Sequence, residues 1–290
     1  MRPFLFLTIL CAVSYHSVAL AQDCLSLTRT ALDKSGFNAD IEAQAALAGS
    51  PDIAKRVIES WQLPATSGPA VQAAMRKGMD ADLLKAELLK LVAARCVPGK
   101  MKQVVDQLSD PLVVTIVAME TAAKSSEGLK ELNNYARTHS QDIPGLPRMA
   151  LLTKLDNSLG LTNFSLKSFL TVQSGMADGL GVRGAKNIKA TYIGDLGNAL
   201  FGGENLQVNI YTYRAVSDQD LRRYVQILST EPVKRFYVLT MQSLLAVYEQ
   251  HSRIVGEEIR SNLPPGSISP AAISLGATGK KGNESSSKPH

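Results

Sequence analysis

Histidine carries proton transfer near neutral pH more readily than other side chains, and the chain has four histidines. His139 follows a polar helical segment, and His290 is the last residue. His251 falls on an apolar helical stripe, where a hydrogen-bonded core or interface histidine is the expected role. The sequence contains no H-E-x-x-H, G-x-S-x-G or EF-hand pattern. We therefore expect no catalytic residue, no metal ligand and no cofactor, and predict that the protein is not an enzyme.

One glycine-rich segment, 179–184, has the spacing G-x-G-x-x-G. In dinucleotide-binding proteins this turn follows a strand, so that backbone N–H groups and a helix N-terminus meet the pyrophosphate. The preceding residues 164–173 have a helical pattern, so we interpret 179–184 as a glycine-rich loop. Three basic residues beside it are candidates for contact with an anion or a partner, and a solvated basic loop is the simpler alternative. These residues are Arg183, Lys186 and Lys189.

The chain has three cysteines, and Cys11 lies in an apolar N-terminal segment that has the pattern of a cleaved signal peptide. The other two, Cys24 and Cys96, favour a disulfide if the protein is exported. Such a bond would close a loop of about 70 residues and contribute roughly 4 kcal/mol through loop entropy. The alternative is a pair of buried free thiols. A zinc site is disfavoured because the two cysteines are far apart and have no histidine pair nearby.

The N-terminus has the pattern of a secretory signal peptide. Arg2 precedes the apolar segment 4–13, and the small-residue pattern at 19–21 suits cleavage before Gln22. This pattern predicts a periplasmic or secreted protein with no transmembrane segment after cleavage. A retained anchor helix is the alternative, and a lipid anchor is disfavoured because aspartate directly precedes the next cysteine.

The 290 residues include 31 Lys+Arg and 26 Asp+Glu, giving a net charge of +5, and 45% of the residues are hydrophobic. This composition is typical of a globular protein and excludes collagen-like, fully disordered and polytopic membrane classes. A basic segment, 85–102, has no interleaved aromatic residues, so nucleic-acid binding is not expected.

The sequence has the pattern of helices along most of its length. Residues that commonly cap helices precede apolar segments at Ser50, Asp80, Asp110, Ser217 and Thr230. Residues 207–213 alternate like a strand, but a single strand leaves its backbone unpaired, so helix is preferred there. The longest periodic segment places six residues on one face: Tyr237, Met241, Leu244, Tyr248, His251 and Val255. We predict an all-α fold, a multi-helix bundle.

Short segments recur along the chain at a nearly constant offset. They pair 32–35 with 155–158, 101–108 with 221–228, and the proline at 111 with that at 232. The recurrence predicts two related helical halves, 22–145 and 146–262. The alternative is that helix caps resemble one another in any helical protein.

Two segments differ from the helical pattern of the rest of the chain. Residues 174–203 contain eight glycines, each of which lowers helix stability by about 1 kcal/mol relative to alanine. We interpret this segment as a mobile excursion between helices or as a place of very close helix packing. Residues 263–290 are rich in Ser, Gly, Pro and Lys, and are predicted to be a flexible tail.

An acidic residue and a leucine open one helical segment, an aromatic residue follows, and a serine and a proline precede the next helix. The residues are Asp220, Leu221, Tyr224, Leu228, Ser229, Pro232 and 235–237. In these features the segment 217–250 resembles a family of exported bacterial all-helical domains of unknown function. Here Thr230 and Glu231 separate the serine from the proline, and Lys234 stands where that family usually has glycine. The resemblance implies export and a helical bundle, with no established catalytic residues.

These observations predict an exported, non-catalytic helical protein that acts as a binding or interaction module in the bacterial envelope. The expected partner is another envelope or secreted protein. One alternative is a hydrolase whose site near His251 or His139 is assembled only in three dimensions. The other alternative is a soluble carrier of an apolar ligand, which requires a cavity lined by the Met and Leu stripes.

Overall fold

The computed structural model describes residues 22–139, 144–182 and 206–268. The helices are α1 (22–34), α2 (Phe37–Ala48), α3 (Pro51–Trp61), α4 (Gly68–Gly78), α5 (Ala81–Ala93), α6 (Pro98–Leu108), α7 (Pro111–Lys124), α8 (Ser126–Thr138), α9 (Leu146–Leu159), α10 (Leu161–Leu180), α11 (206–212), α12 (Asp218–Leu228) and α13 (Glu231–Ser261), with a 3₁₀ turn at Ala65–Ser67. These ranges contain no strand, so the all-α prediction is confirmed. The segment that alternates like a strand forms α11.

Local side-chain caps mark where several of these helices begin. The side chains of Ser50, Asp80, Asp110 and Ser217 each accept a hydrogen bond from a backbone N–H in the first turn of the following helix. Thr230 precedes α13 without such a bond, and its hydroxyl instead contacts the side-chain carbonyl of Gln107. The predicted helix starts therefore agree with the structure.

The longest helix, α13, lies at the centre of the fold and packs against α4, α5, α6, α9 and α10. All six residues of its predicted apolar stripe are buried. One hydrophobic core contains side chains from both predicted halves, such as Leu32 and Leu88 from the first and Leu152 and Leu244 from the second. The two halves therefore share a core, and their origin by duplication stays a prediction.

Helices α10 and α13 approach each other closely through glycines. A Cβ atom at Gly179 would lie 2.1 Å from the Arg253 carbonyl oxygen, and one at Gly256 would lie 2.2 Å from the Met176 carbonyl oxygen. Only a residue without a side chain fits at these positions. Of the two interpretations of the glycine-rich segment 174–203, close packing therefore applies to its described part, which ends at residue 182.

The two ends of the described chain are held against this core. The sulfur atoms of Cys24 and Cys96 lie 2.20 Å apart, at disulfide bonding distance, and connect the start of α1 to the residues after α5. Leu263 and Ile268 are partly buried against the core, although both belong to the segment predicted to be a flexible tail. The rest of that segment, 269–290, and the predicted signal peptide, 1–21, lie outside the described residues. No described helix is both long enough and apolar enough to cross a membrane.

Candidate functional site

A cavity of about 350 Å³ lies where α2, α7 and α9–α13 meet, and Leu129 of α8 also lines it. Much of its wall is apolar and includes Phe37, Leu47, Leu155, Leu159 and Phe164. Leu155, Leu159 and Phe37 are otherwise enclosed in the core, whereas Leu47 is half exposed. This volume is at the lower end of the range typical of small-molecule sites, and concave apolar walls are characteristic of such sites.

Helix periodicity and one glycine place the residues of this wall. Phe37, Asp40 and Leu47 lie on one face of α2, because residues three or four apart on a helix are neighbours. Gly36, which joins α1 to α2, has a φ of +80°, and a Cβ atom there would lie 3.2 Å from the Val117 side chain. The absence of a side chain lets α2 begin directly against α7.

A polar group on α7, Glu120, also lines the cavity. Its Oε1 accepts hydrogen bonds from the Tyr213 hydroxyl at 2.6 Å and from the Tyr224 hydroxyl at 2.9 Å. Burial raises the pKa of Glu120, and the nearby Lys124 ammonium and the two tyrosine hydroxyls oppose that increase only in part. The carboxyl is therefore held in place by two donors from separate parts of the chain.

The tyrosines around this carboxyl remain protonated. Tyr213, Tyr224 and Tyr237 are buried, and all three line the cavity. Burial and then the charge of Glu120 raise the pKa of each phenol above its ordinary value. They can donate hydrogen bonds, but they are poor candidates for ionised nucleophiles at neutral pH.

One turn along α7 from Glu120, Lys124 forms an ion pair with α2. Its Nζ lies 2.7 and 2.8 Å from the two carboxylate oxygens of Asp40. Burial lowers the pKa of Lys124, but Asp40 and Glu120 together raise it further, so the net change is upward and the ammonium stays charged. The side chains of Lys124 and Asp40 are 44% and 30% exposed, so the ion pair is accessible to solvent.

The residues selected from the sequence lie elsewhere. His251 is buried in the core, with Nδ1 2.6 Å from the Gly78 carbonyl oxygen and Nε2 3.2 Å from Glu87, so the predicted core role is confirmed. His139 is exposed, and its ring stacks on Tyr135 with centroids 4.4 Å apart. Neither histidine lines the cavity. His290 and the candidate contact residues Arg183, Lys186 and Lys189 lie outside the ranges that the structure describes.

Reasoning from the sequence missed Glu120 and its partners. One local signal was present: Glu120 is the only acidic residue of α7, a helix that is otherwise largely apolar. An ionisable side chain in such a segment needs hydrogen-bond partners, because unpaired burial of a charge is costly. Tyr213 and Tyr224 carry no comparable signal, since each occupies a position where a core aromatic residue would also fit.

The described residues contain no group of three or more His, Cys, Asp or Glu side chains that could hold a metal ion. What the site contains is an apolar wall, a carboxyl held by two hydroxyls and a lysine–aspartate ion pair. Comparisons of the chain with protein-family models, with curated proteins and with solved structures found no match. The function must therefore be inferred from the site itself.

Proposed function

We propose that this protein is a non-catalytic binding protein that holds a small, mainly apolar molecule in the cavity between α2, α7 and α9–α13. The observation that carries the proposal is the cavity itself, about 350 Å³ in volume and walled by side chains such as Phe37, Leu155 and Phe164. Removal of apolar ligand surface from water contributes about 25 cal/mol per Å², which supplies the driving force for binding.

The polar groups of the cavity suit binding better than catalysis. Glu120 is already engaged by two tyrosine hydroxyls, and Lys124 is engaged by Asp40. Groups fixed by such contacts can orient the polar end of a ligand. A concave apolar site of this size favours the carrier interpretation over the module for protein interactions that the sequence suggested first.

We also propose that the protein is exported. Two observations support export: the basic and apolar pattern of residues 1–21, and the position of Cys24 and Cys96 at disulfide bonding distance. N-terminal sequencing of the protein recovered from its native compartment should begin at Gln22. An N-terminus that retains residues 1–21 would contradict this part of the proposal.

A cavity-filling pair of variants tests the binding function. Ala43 lines the cavity on α2, whereas Ala46 lies on the exposed side of the same helix and does not line it. We expect the wild type to bind the neutral fluorescent probe N-phenyl-1-naphthylamine with one probe per chain. Ala43→Trp should abolish this binding, because the indole occupies the probe's volume.

The matched control is Ala46→Trp, which should bind the probe as the wild type does. Circular dichroism of both variants checks that the helices are retained. If the wild type binds no probe, or if the two tryptophan variants bind it equally, the cavity is not the ligand site.

A further inference from the structure

Glu120 has hydrogen-bonding capacity that the protein does not use. A carboxylate has two oxygens and can accept about four hydrogen bonds. Both tyrosine hydroxyls donate to Oε1, and Oε2 accepts no hydrogen bond from the described part of the chain. Since Glu120 lines the cavity, a ligand that carries hydrogen-bond donors can be recognised there.

The ionisable side chains described around the cavity are mainly acidic. Among the residues that the structure describes, three carboxyl groups line it, those of Asp40, Glu120 and Asp156, against the single ammonium of Lys124. Lys124 is bonded to both oxygens of Asp40, so its charge is paired there, and the partners of Glu120 are neutral hydroxyls. An anionic ligand would meet an excess of like charge, whereas a cationic ligand would reduce it.

Aromatic rings surround the same region. Phe37 and Tyr237 have ring centroids 5.3 Å apart, and those of Tyr213 and Tyr224 are 6.5 Å apart. All four residues line the cavity. The face of an aromatic ring attracts a cation electrostatically, most strongly where water is excluded.

We infer that the ligand is an organic amine, an apolar body that ends in an ammonium group donating a hydrogen bond to Glu120 Oε2. This inference rests on the proposed binding function and adds the chemical class of the ligand. The apolar body packs against side chains such as Leu155, Leu159 and Phe164, and the aromatic rings lie beside the charged end.

Three ligands with the same hydrocarbon chain distinguish two questions: whether the cavity binds a small apolar molecule, and whether that molecule is an amine. Decylamine, decanol and decanoate are titrated into the full-length mature protein by calorimetry near neutral pH, below the concentrations at which they form micelles. We expect decylamine to bind at least about tenfold more tightly than decanol, because hydrogen bonds to charged groups are the stronger ones. Decanoate should bind most weakly.

Failure of all three ligands to bind would overturn the proposed function. Binding of decanol or decanoate as tight as that of decylamine would overturn only the inference that the ligand is an amine. The two failures are therefore distinguishable in a single set of titrations.

Two variants test whether the ammonium group of decylamine contacts the Glu120 carboxylate. Glu120→Gln retains an acceptor for both tyrosines but removes the charge, so decylamine affinity should fall by about tenfold while decanol affinity stays within about twofold. The control is Glu131→Gln: Glu131 also accepts a tyrosine hydroxyl, that of Tyr211 at 2.7 Å, but it is exposed and does not line the cavity.

Glu131→Gln should leave both affinities unchanged. An unchanged affinity of Glu120→Gln for decylamine, or an equal loss for both ligands, would contradict the assignment to Glu120. If Glu120→Gln does not fold, Asp40→Asn provides the second test. It releases Lys124 from its ion pair, and should weaken decylamine binding and strengthen that of decanoate.

Discussion

Glu120 is a carboxyl group whose pKa differs between the folded and the unfolded protein. Burial raises its pKa, while the Lys124 ammonium and the hydroxyls of Tyr213 and Tyr224 oppose the increase. Asp40, on α2, acts in the same direction as burial. A raised pKa means that the folded protein holds the Glu120 proton more tightly than the unfolded chain does. This group therefore stabilises the fold fully at low pH, and its contribution is lost as the pH rises from about 4.5, the ordinary value, through the raised value.

The Glu120→Gln variant should reveal this loss as a difference that depends on pH. Because glutamine does not titrate, the free energy of unfolding of the variant minus that of the wild type should increase with pH above about 4.5 and then level off. Urea unfolding of both proteins between about pH 4 and pH 8 measures the difference. Glu131→Gln controls for the change in net charge. A difference that is constant or decreases with pH would contradict the raised pKa.

The close contact between α10 and α13 admits only glycine at Gly179 and Gly256. At Gly179 a Cβ atom would lie 2.1 Å from a backbone oxygen and 2.9 Å from the Cα atom of Gly256. Backbone atoms cannot move aside as a flexible side chain can, so the two helices would have to separate. This separation would disturb the core around α13, which also carries Tyr237 of the cavity.

Gly179→Ala should therefore destabilise the protein by about 1–3 kcal/mol, even though alanine has the higher helix propensity. Gly99→Ala is the matched control, because no atom lies within 4 Å of a Cβ atom at Gly99, in α6. We expect its stability to be unchanged or increased by up to about 1 kcal/mol. Denaturant unfolding measures both values, and equal stability of the two variants would show that α10 and α13 are not in close contact.

The helices could be predicted from the sequence because the features that define them are local. Ser217 caps α12 by accepting a hydrogen bond from the backbone N–H of Asp220, three positions along, and the stripe on α13 repeats within a single helix. The site is not local. Tyr213 and Tyr224 are 93 and 104 residues from Glu120, and no pattern near any of these residues indicates that they meet. Predicting that contact requires the packing of α7, α12 and the end of α11, which depends on the whole core.

One hydrophobic core joins the N-terminal and C-terminal helices, and the Cys24–Cys96 pair spans 72 residues of the chain. A covalent bond there removes loop-closure entropy from the unfolded chain, by about 4 kcal/mol for a loop of this length. Replacing both cysteines by serine should therefore lower the free energy of unfolding by about that amount. The comparison is made with the oxidised wild type in denaturant.

Alkylation without reductant followed by mass spectrometry identifies the state of Cys24 and Cys96 in the protein isolated from its native compartment. The oxidised protein should take up no label, and the same protein treated with reductant should take up two labels. Two labels without reductant would contradict the disulfide.

The proposed function requires that a small, mainly apolar molecule occupy the cavity between α2, α7 and α9–α13. A crystal structure of the protein saturated with N-phenyl-1-naphthylamine shows where such a molecule binds. We expect density for the probe between Phe37, Leu159 and Phe164, with Glu120 still bonded to Tyr213 and Tyr224. A structure with the probe bound elsewhere, or with the cavity filled by the protein's own side chains, would contradict the claim.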